Sequence, residues 1–478
     1  MSATTRPLGE VLADAAPVAP VVASASTRGD LDTTITAVVH DSRRVVPGAL
    51  YCCVRGERVD GHDFAAAAVA AGATALLVDH ELPIVVAQVI VADTRAAMGP
   101  MAAAFHGHPS RALTMVGVTG TNGKTTTTSL IASVLEASGR PTAVIGTLTG
   151  AHTTPEGPEL HDALAAHRDA GKRAVVMEVS SHALALHRVD GTHFDLAVFT
   201  NLGRDHLDLH GTIERYFAAK ALLFEPELSA RGIANVDDLH GRLLVDGAGI
   251  PMEGFSLADI DEIEVTPVRH SYRWRGERID VGIGGAFNVM NSLAAATACA
   301  ALGLTTNEIA AGLATAEPVP GRFEPVRAGQ PFAVIVDYAH TPDGLGAALA
   351  AARAAGSGGR LIAVFGCGGD RDREKRPEMG RVAAELADHV VVTSDNPRSE
   401  DPQAIIDAVI AGVPADYRAH VVSESDRRRA LSEAFQIARP GDVVVVAGKG
   451  HETTQTIGST VLPFDDRAVA RELLETMS

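Results

Sequence analysis

The chain has 478 residues, 46% of them hydrophobic and 21% charged, the composition of a folded globular protein and too much chain for one ordinary core. About three domains are expected from that length. A formal net charge of −18 argues against a general nucleic-acid binder, which needs a basic face, so any anionic substrate must be held by local arginines and backbone N–H groups.

From the N-terminus, short strands alternate with an alanine-rich helix: Thr36 to Val39, Leu50 to Val54, Phe64 to Ala71 (the helix) and Ala75 to Val78. The apolar stretch Ala15 to Ala25 is broken by Pro17 and Pro20 and abutted by Asp14, which argues against a signal peptide. No uncharged apolar run approaches the roughly 18 residues of a membrane span. Cys52, Cys53, Cys299 and Cys367 lack metal-ligand spacing, which fits a reducing, cytoplasmic compartment. The pair Pro109-Ser110 reads as a linker.

The strand and turn that follow, Met115 to Thr127, carry the strongest signal. Gly120-Thr-Asn-Gly-Lys-Thr-Thr126 places glycines, a lysine and threonines between a buried strand and a helix. Such a corner aims backbone N–H groups and a positive helix end at one point, a cradle for phosphates. Lys124 can reach the outer phosphates and Thr125 can ligate magnesium, although the spacing departs from the strict G-x-x-x-x-G-K-[ST] pattern.

Buried strands follow at Arg173 to Val179 and Asp195 to Thr200. Glu178 ends the first of them, a position suited to holding magnesium, and His206 follows the second as a candidate second metal ligand. Lys220 sits in an amphipathic helix, Tyr216 to Phe224, where periodicity alone reads it as a solvated lysine. Leu257 to Asp280 reads as an antiparallel excursion, and Asn288 to Leu302 as a helix.

The last third alternates strands (Ala333 to Asp337, Arg360 to Phe365, His389 to Thr393, Ala419 to Val422, Asp442 to Val446) with helices starting near Asp343, Pro377, Pro402 and Ser425. That rhythm implies a parallel sheet covered on both faces, with ligands beyond the carboxyl ends of its strands. The polar clusters Gly366 to Arg376, Ser394 to Pro402 and Gly448 to Gln455 fall there.

Taken in order, Gly120 to Thr126, Glu178-Val-Ser-Ser-His182, Asn201-Leu-x-Arg-Asp-His206, Tyr216-x-x-x-Lys220, Gly321-Arg322, Asp337-Tyr-Ala-His-Thr-Pro342, Asp395-Asn-Pro-Arg398 and Gly448-Lys-Gly-His-Glu452 resemble the Mur ligases of peptidoglycan synthesis. The resemblance runs from about Asp41 onward and is most specific to members that add the third amino acid. It implies an α/β fold of three domains. These are an N-terminal UDP-substrate-binding domain (1–108), a central P-loop ATPase-like domain (109–322) and a C-terminal Rossmann-like doubly wound domain that binds the amino acid (323–478).

The resemblance also implies site roles. Ser42 with its neighbours would hold the UDP end. Gly120, Thr121, Asn122, Gly123, Lys124, Thr125 and Thr126, with Asn288 and Arg322, would bind ATP. Thr153, Thr154, Ser180 and Arg188 would contact the muramoyl dipeptide. Thr125, Glu178, His206 and a carbamylated Lys220 would hold Mg2+. Arg371, Asp395, Asn396, Pro397, Arg398, Gly448 and Glu452 would bind the incoming amino acid. Departures stand at His152, at Leu186 and in a short segment 146–154, and bear on the dipeptide contacts.

The implied reaction joins meso-2,6-diaminopimelate to UDP-N-acetylmuramoyl-L-alanyl-D-glutamate through an acyl phosphate, with closure of the third domain expected. A monomer without a nucleic-acid partner is the expectation. Rival readings are the same reaction with L-lysine, a folylpolyglutamate-synthetase-like ligase, and an ATP-binding switch protein that forms no amide.

Overall fold

The computed structural model describes residues 4–56, 59–150, 152–203, 205, 207–356 and 358–477. Two compact units are distinguished, one formed by 1–255 with 297–303, the other by 256–296 with 304–478. Among the described residues no helix is long and apolar enough to cross a membrane.

Among the described residues the first unit holds two large sheets beside the short antiparallel pair Arg6–Pro7 with Thr34–Ile35. Ala37–Val39, Ala49–Cys52, Ala75–Val78 and Ala87–Ile90 run parallel, with Ser26–Arg28 added antiparallel at one edge. Cys52 and Cys53 are buried here and free, as small apolar filler. The helix Thr94–Phe105 packs on this sheet with ten of its twelve residues buried. Pro100 inside it breaks the expected helical pattern, which hides the helix from a reading of periodicity. The stretch Ala15 to Ala25 is folded here as well, with Ala15, Ala19 and Val22 in the same core. Pro109 and Ser110, expected as a linker, are instead a buried turn, Ser110 Oγ accepting the N–H of His193 at 3.1 Å.

The second sheet of this unit is all parallel, in the order Met252–Phe255, Gly232–Asn235, Leu196–Phe199, Thr114–Thr119, Ala174–Glu178, Thr142–Ile145. Thr114–Thr119 is central, flanked by the strands that end at Glu178 and Phe199. The three carboxyl ends therefore deliver the glycine-rich loop, Glu178 and the Thr200–Gly203 segment to one edge of the sheet.

In the second unit the antiparallel excursion is three strands, Ile260–Val265, His270–Trp274 and Glu277–Val281. The main sheet has the order Glu324–Pro325, Ala333–Asp337, Val443–Ala447, Leu361–Phe365, His389–Val392, Val421–Ser423, parallel except for the first. Helices Pro342–Ala355, Lys375–Leu386 and Pro402–Ile410 cover one face, and Arg427–Ile437 with Asp466–Met477 the other. The chain returns to insert Val443–Ala447 between Ala333–Asp337 and Leu361–Phe365, so the strand order reverses there and leaves a crevice at the carboxyl ends.

Candidate active site

The helix Lys124–Ala137 starts directly after the glycine-rich loop, with Gly123 at φ 85° as its N-cap. Gly120 has φ 147°, and a Cβ on it would stand 1.9 Å from Thr200 Oγ1, so no other residue fits the close approach of these two segments. The loop is clamped from that side. Thr200 Oγ1 donates to Asn122 O at 2.6 Å, Asn201 Oδ1 accepts the Asn122 N–H at 3.0 Å, and Thr121 Oγ1 accepts the Gly203 N–H at 2.9 Å. Lys124 Nζ folds back to donate to the carbonyls of Gly120 and Thr121 at 2.9 and 2.8 Å.

Thr125 and Glu178 meet as expected from their strand ends: Thr125 Oγ1 donates to Glu178 Oε2 at 3.0 Å. Thr147, which no motif singles out, donates to the same carboxylate through its N–H at 2.8 Å and its hydroxyl at 3.2 Å. A hydroxyl and a carboxylate converging beside a phosphate cradle are hard oxygen donors of the type magnesium prefers. His206, the expected further ligand, lies outside the described residues.

Lys220 is not the solvated lysine its helix pattern suggests. Its side chain is 1% exposed, Nζ donates to Gly120 O at 2.8 Å, and it lies 4.4 Å from the centre of the Tyr216 ring. Burial, with the nearby Lys124 charge, pushes its pKa well below the usual lysine range. Tyr216 joins the same cluster through its hydroxyl, 3.1 Å from Thr121 Oγ1.

Around Glu178 the expected dipeptide residues come together. Thr154 Oγ1 donates to the carbonyl of Glu178 at 2.9 Å and accepts the Ser180 N–H at 3.1 Å, and Thr153 and Thr147 hydroxyls are 3.1 Å apart. Arg188 donates to Thr154 O at 3.3 Å and pairs with Glu156 at 2.8 Å. Ser42 opens a short 3-10 turn capped by Asp41, whose carboxyl is held down at about 2 by the Arg43 guanidinium.

In the second unit, Asn288 is buried, with its amide donating to Gly284 O at 2.7 Å. The Arg322 guanidinium stacks 4.5 Å over the Tyr338 ring, and burial raises the pKa of the neighbouring Asp337 against the pull of Arg322.

At the crevice, Asp395 and Asn396 are 7% exposed. Asn396 donates to Glu452 Oε2 at 2.7 Å and accepts the Thr456 N–H at 2.9 Å, so its amide organises the loop around it. Gly448 approaches Asp395 so closely that a Cβ would lie 2.7 Å from Oδ2. Lys449, quoted in the motif yet given no role, is fully buried and donates to Thr454 O at 2.7 Å and Glu452 at 3.3 Å.

Arg398 has φ 52°, a left-handed backbone held by its N–H donating to Thr456 O and its carbonyl accepting from Gly458. Such a conformation costs on the order of 1 kcal/mol or more and persists where surrounding structure enforces it. One guanidinium nitrogen donates to Gly369 O at 2.7 Å. Glu400, close to Arg398 in sequence, is taken by a bidentate pair with Arg376 at 2.8 and 3.0 Å, while Asp370, whose carboxyl is lowered chiefly by hydrogen bonds from Ser399, also feels the Arg398 charge. Arg371, two residues after Gly369, is exposed.

With this geometry in place, comparison with known proteins assigns the family. Residues 34–109 match the Mur ligase family catalytic domain, 118–299 the Mur ligase middle domain, and 321–450 the Mur ligase glutamate ligase domain. The chain belongs to the Mur ligase family. It is 45% identical over 469 residues to the UDP-N-acetylmuramoyl-L-alanyl-D-glutamate--2,6-diaminopimelate ligase of Syntrophomonas wolfei, covering 93% of this chain and 96% of that one. The protein of the same name from Gloeobacter violaceus is 47% identical over 476 residues, covering 94% and 95%. A solved structure of a protein of that name superposes with a TM-score of 0.67 at 33% identity, covering 93% of this chain and 95% of the other. This Mur ligase thus has the α/β architecture that its motifs implied.

Proposed function

We propose that this Mur ligase adds meso-2,6-diaminopimelate to UDP-N-acetylmuramoyl-L-alanyl-D-glutamate, with ATP and Mg2+, in the cytoplasm. The names of relatives at about 45% identity support the substrate pair. The observation within the site that carries the amino-acid choice is Arg398. Its planar fork suits bidentate pairing with the distal carboxylate that diaminopimelate has and lysine lacks. Glu400, close to Arg398 in sequence, is engaged by Arg376 instead.

The glycine-rich loop would hold the ATP phosphates through its N–H groups and Lys124, which would swing from its own loop carbonyls to the outer phosphates. Thr125 and Glu178 would hold magnesium, with Lys220 contributing once carbamylated. Magnesium, when bound, offsets the negative charge of the phosphoryl group in transfer. The substrate carboxylate takes the γ-phosphoryl group, releasing ADP, and the amine of diaminopimelate then attacks the acyl phosphate and expels phosphate to leave the amide. The chain's part is to position these groups and keep water from the acyl phosphate.

The test measures phosphate release with the UDP-dipeptide and either diaminopimelate or L-lysine, in wild type and Arg398→Ala. Wild type should favour diaminopimelate by roughly ten-thousand-fold in kcat/KM, because lysine leaves a site arginine unpaired. Arg398→Ala should lose most of that preference. Equal use of lysine by wild type, or an unchanged preference in the variant, would remove Arg398 as selector.

A further inference from the structure

The loops carrying Asp395 to Arg398 and Gly448 to Glu452 leave strands that do not touch: Leu361–Phe365 lies between His389–Val392 and Val443–Ala447. Sheet hydrogen bonds therefore do not tie these two strand ends directly to each other. Asn396 and Lys449 link the loops themselves, and one side chain joins the strand ends from behind. Arg427, at the start of the helix Arg427–Ile437, donates to Ser394 O at 3.2 Å and to Ala447 O at 2.9 Å, the residues immediately before Asp395 and Gly448. Its fork is fixed from behind by Asp466, with Nε to Oδ1 and Nη2 to Oδ2 both 2.7 Å, and both side chains are 0% exposed.

We infer that Arg427, oriented by Asp466, is a positioning residue that sets the spacing of the two amino-acid-binding loops without touching the substrate. A fully buried ion pair is a poor device for stability alone, because apolar residues of similar volume serve as well or better. Its geometric product is the planar fork, which reaches two carbonyls on separate strands while staying bidentate to the carboxylate. Lys449 and Gln455 then close the arrangement inward: Gln455 donates to Asp395 O at 2.7 Å, and Lys449 lies 3.4 Å from Asn396 Oδ1. A loop displaced by about 1 Å is enough to cost large factors in a reaction that depends on position.

This inference rests on the amino-acid site proposed above, and two variants test it. Arg427→Lys keeps the charge and loses the fork; Arg427→Met with Asp466→Leu removes the ion pair and keeps the volume. In folded variants KM for diaminopimelate should rise about tenfold or more, with KM for ATP and the UDP-dipeptide within about twofold of wild type. Hydrogen exchange should quicken at amides 395–398 and 448–452 and stay unchanged along 390–392 and 443–446. A folded variant that leaves either readout at its wild-type value, or that shifts all three KM values alike, overturns the inference. Failure of both variants to fold also overturns it, since the pair would then hold the whole unit rather than two loops. If wild type does not use diaminopimelate, the substrate reading has failed, and the exchange pattern alone decides the role of Arg427.

Discussion

Lys124 is positioned by its own loop, its ammonium resting on the carbonyls of Gly120 and Thr121. Those two contacts are local and replaceable by water, so truncation should leave the fold intact. The charge it brings to a phosphoryl group in transfer has no such substitute. Lys124→Ala should fold normally and lose a hundredfold or more in turnover; a folded variant with near-normal ligation would sink the phosphate-loop assignment. Arg398 differs in kind, because its strained φ of 52° is set by the Thr456 and Gly458 backbone rather than by its side chain. Truncating Arg398 should therefore alter the choice of amino acid while leaving the loop in place.

The helix Ile213–Ala221 shows what periodicity conveys and what it omits. Its buried positions are Tyr216, Ala219 and Lys220, so the lysine occupies the inward stripe. A hydrophobic pattern assigns a lysine to solvent by default, and only the tertiary contact with Gly120 reverses that. Burial lowers the pKa of this amine, and addition of carbon dioxide, forming an N–C bond and releasing a proton, would turn a would-be cation into an anion beside the glycine-rich loop. Lys220→Ala should accordingly be nearly inactive and regain part of its activity when a short carboxylic acid is supplied. Absence of rescue in a folded variant, together with an unmodified lysine by mass spectrometry of the native protein, would refute the carbamate.

Other elements were legible to different degrees. Ala75–Val78 and Ala333–Asp337 fall where their apolar runs place them, and the other four strands expected in the last third lie within a residue or two. Strands buried on both faces declare themselves by β-branched composition. The helix Thr94–Phe105 and the hairpin Thr454–Ile457 with Thr460–Pro463 did not, the first because of Pro100 and the second because its strands are short and largely exposed. Within the site, the motif residues were readable one by one, whereas Thr147, Arg376 and Arg427 act through partners 20 to 39 residues away and carry no local signal.

Across the whole molecule, the two units share one stability liability. His161 in the first is fully buried, and His270 in the second is enclosed by Ile283 O at 2.6 Å and Ser292 Oγ at 2.7 Å. Burial pushes each pKa down to about 4 from the ordinary 6.5. The sign is set by which state takes the proton first. Below pH 6.5 the unfolded chain protonates these rings while the folded chain does not, so acidification favours unfolding. For one such histidine the loss reaches about 2 kcal/mol by pH 5. In the second unit this is opposed by Asp337 and Asp395, whose carboxyls are raised by burial and so bind protons more readily when folded. Acidification from pH 7 to 5 should therefore remove from each unit the stability that rests on its buried histidine. Denaturant unfolding at several pH values, followed by hydrogen exchange in each unit, would measure this in wild type, His161→Gln and His270→Gln. Each variant should be less stable at pH 7 and show a flatter pH dependence in its own unit alone. An unchanged slope in the unit that lost its histidine would mean that the ring titrates near its ordinary value despite its burial.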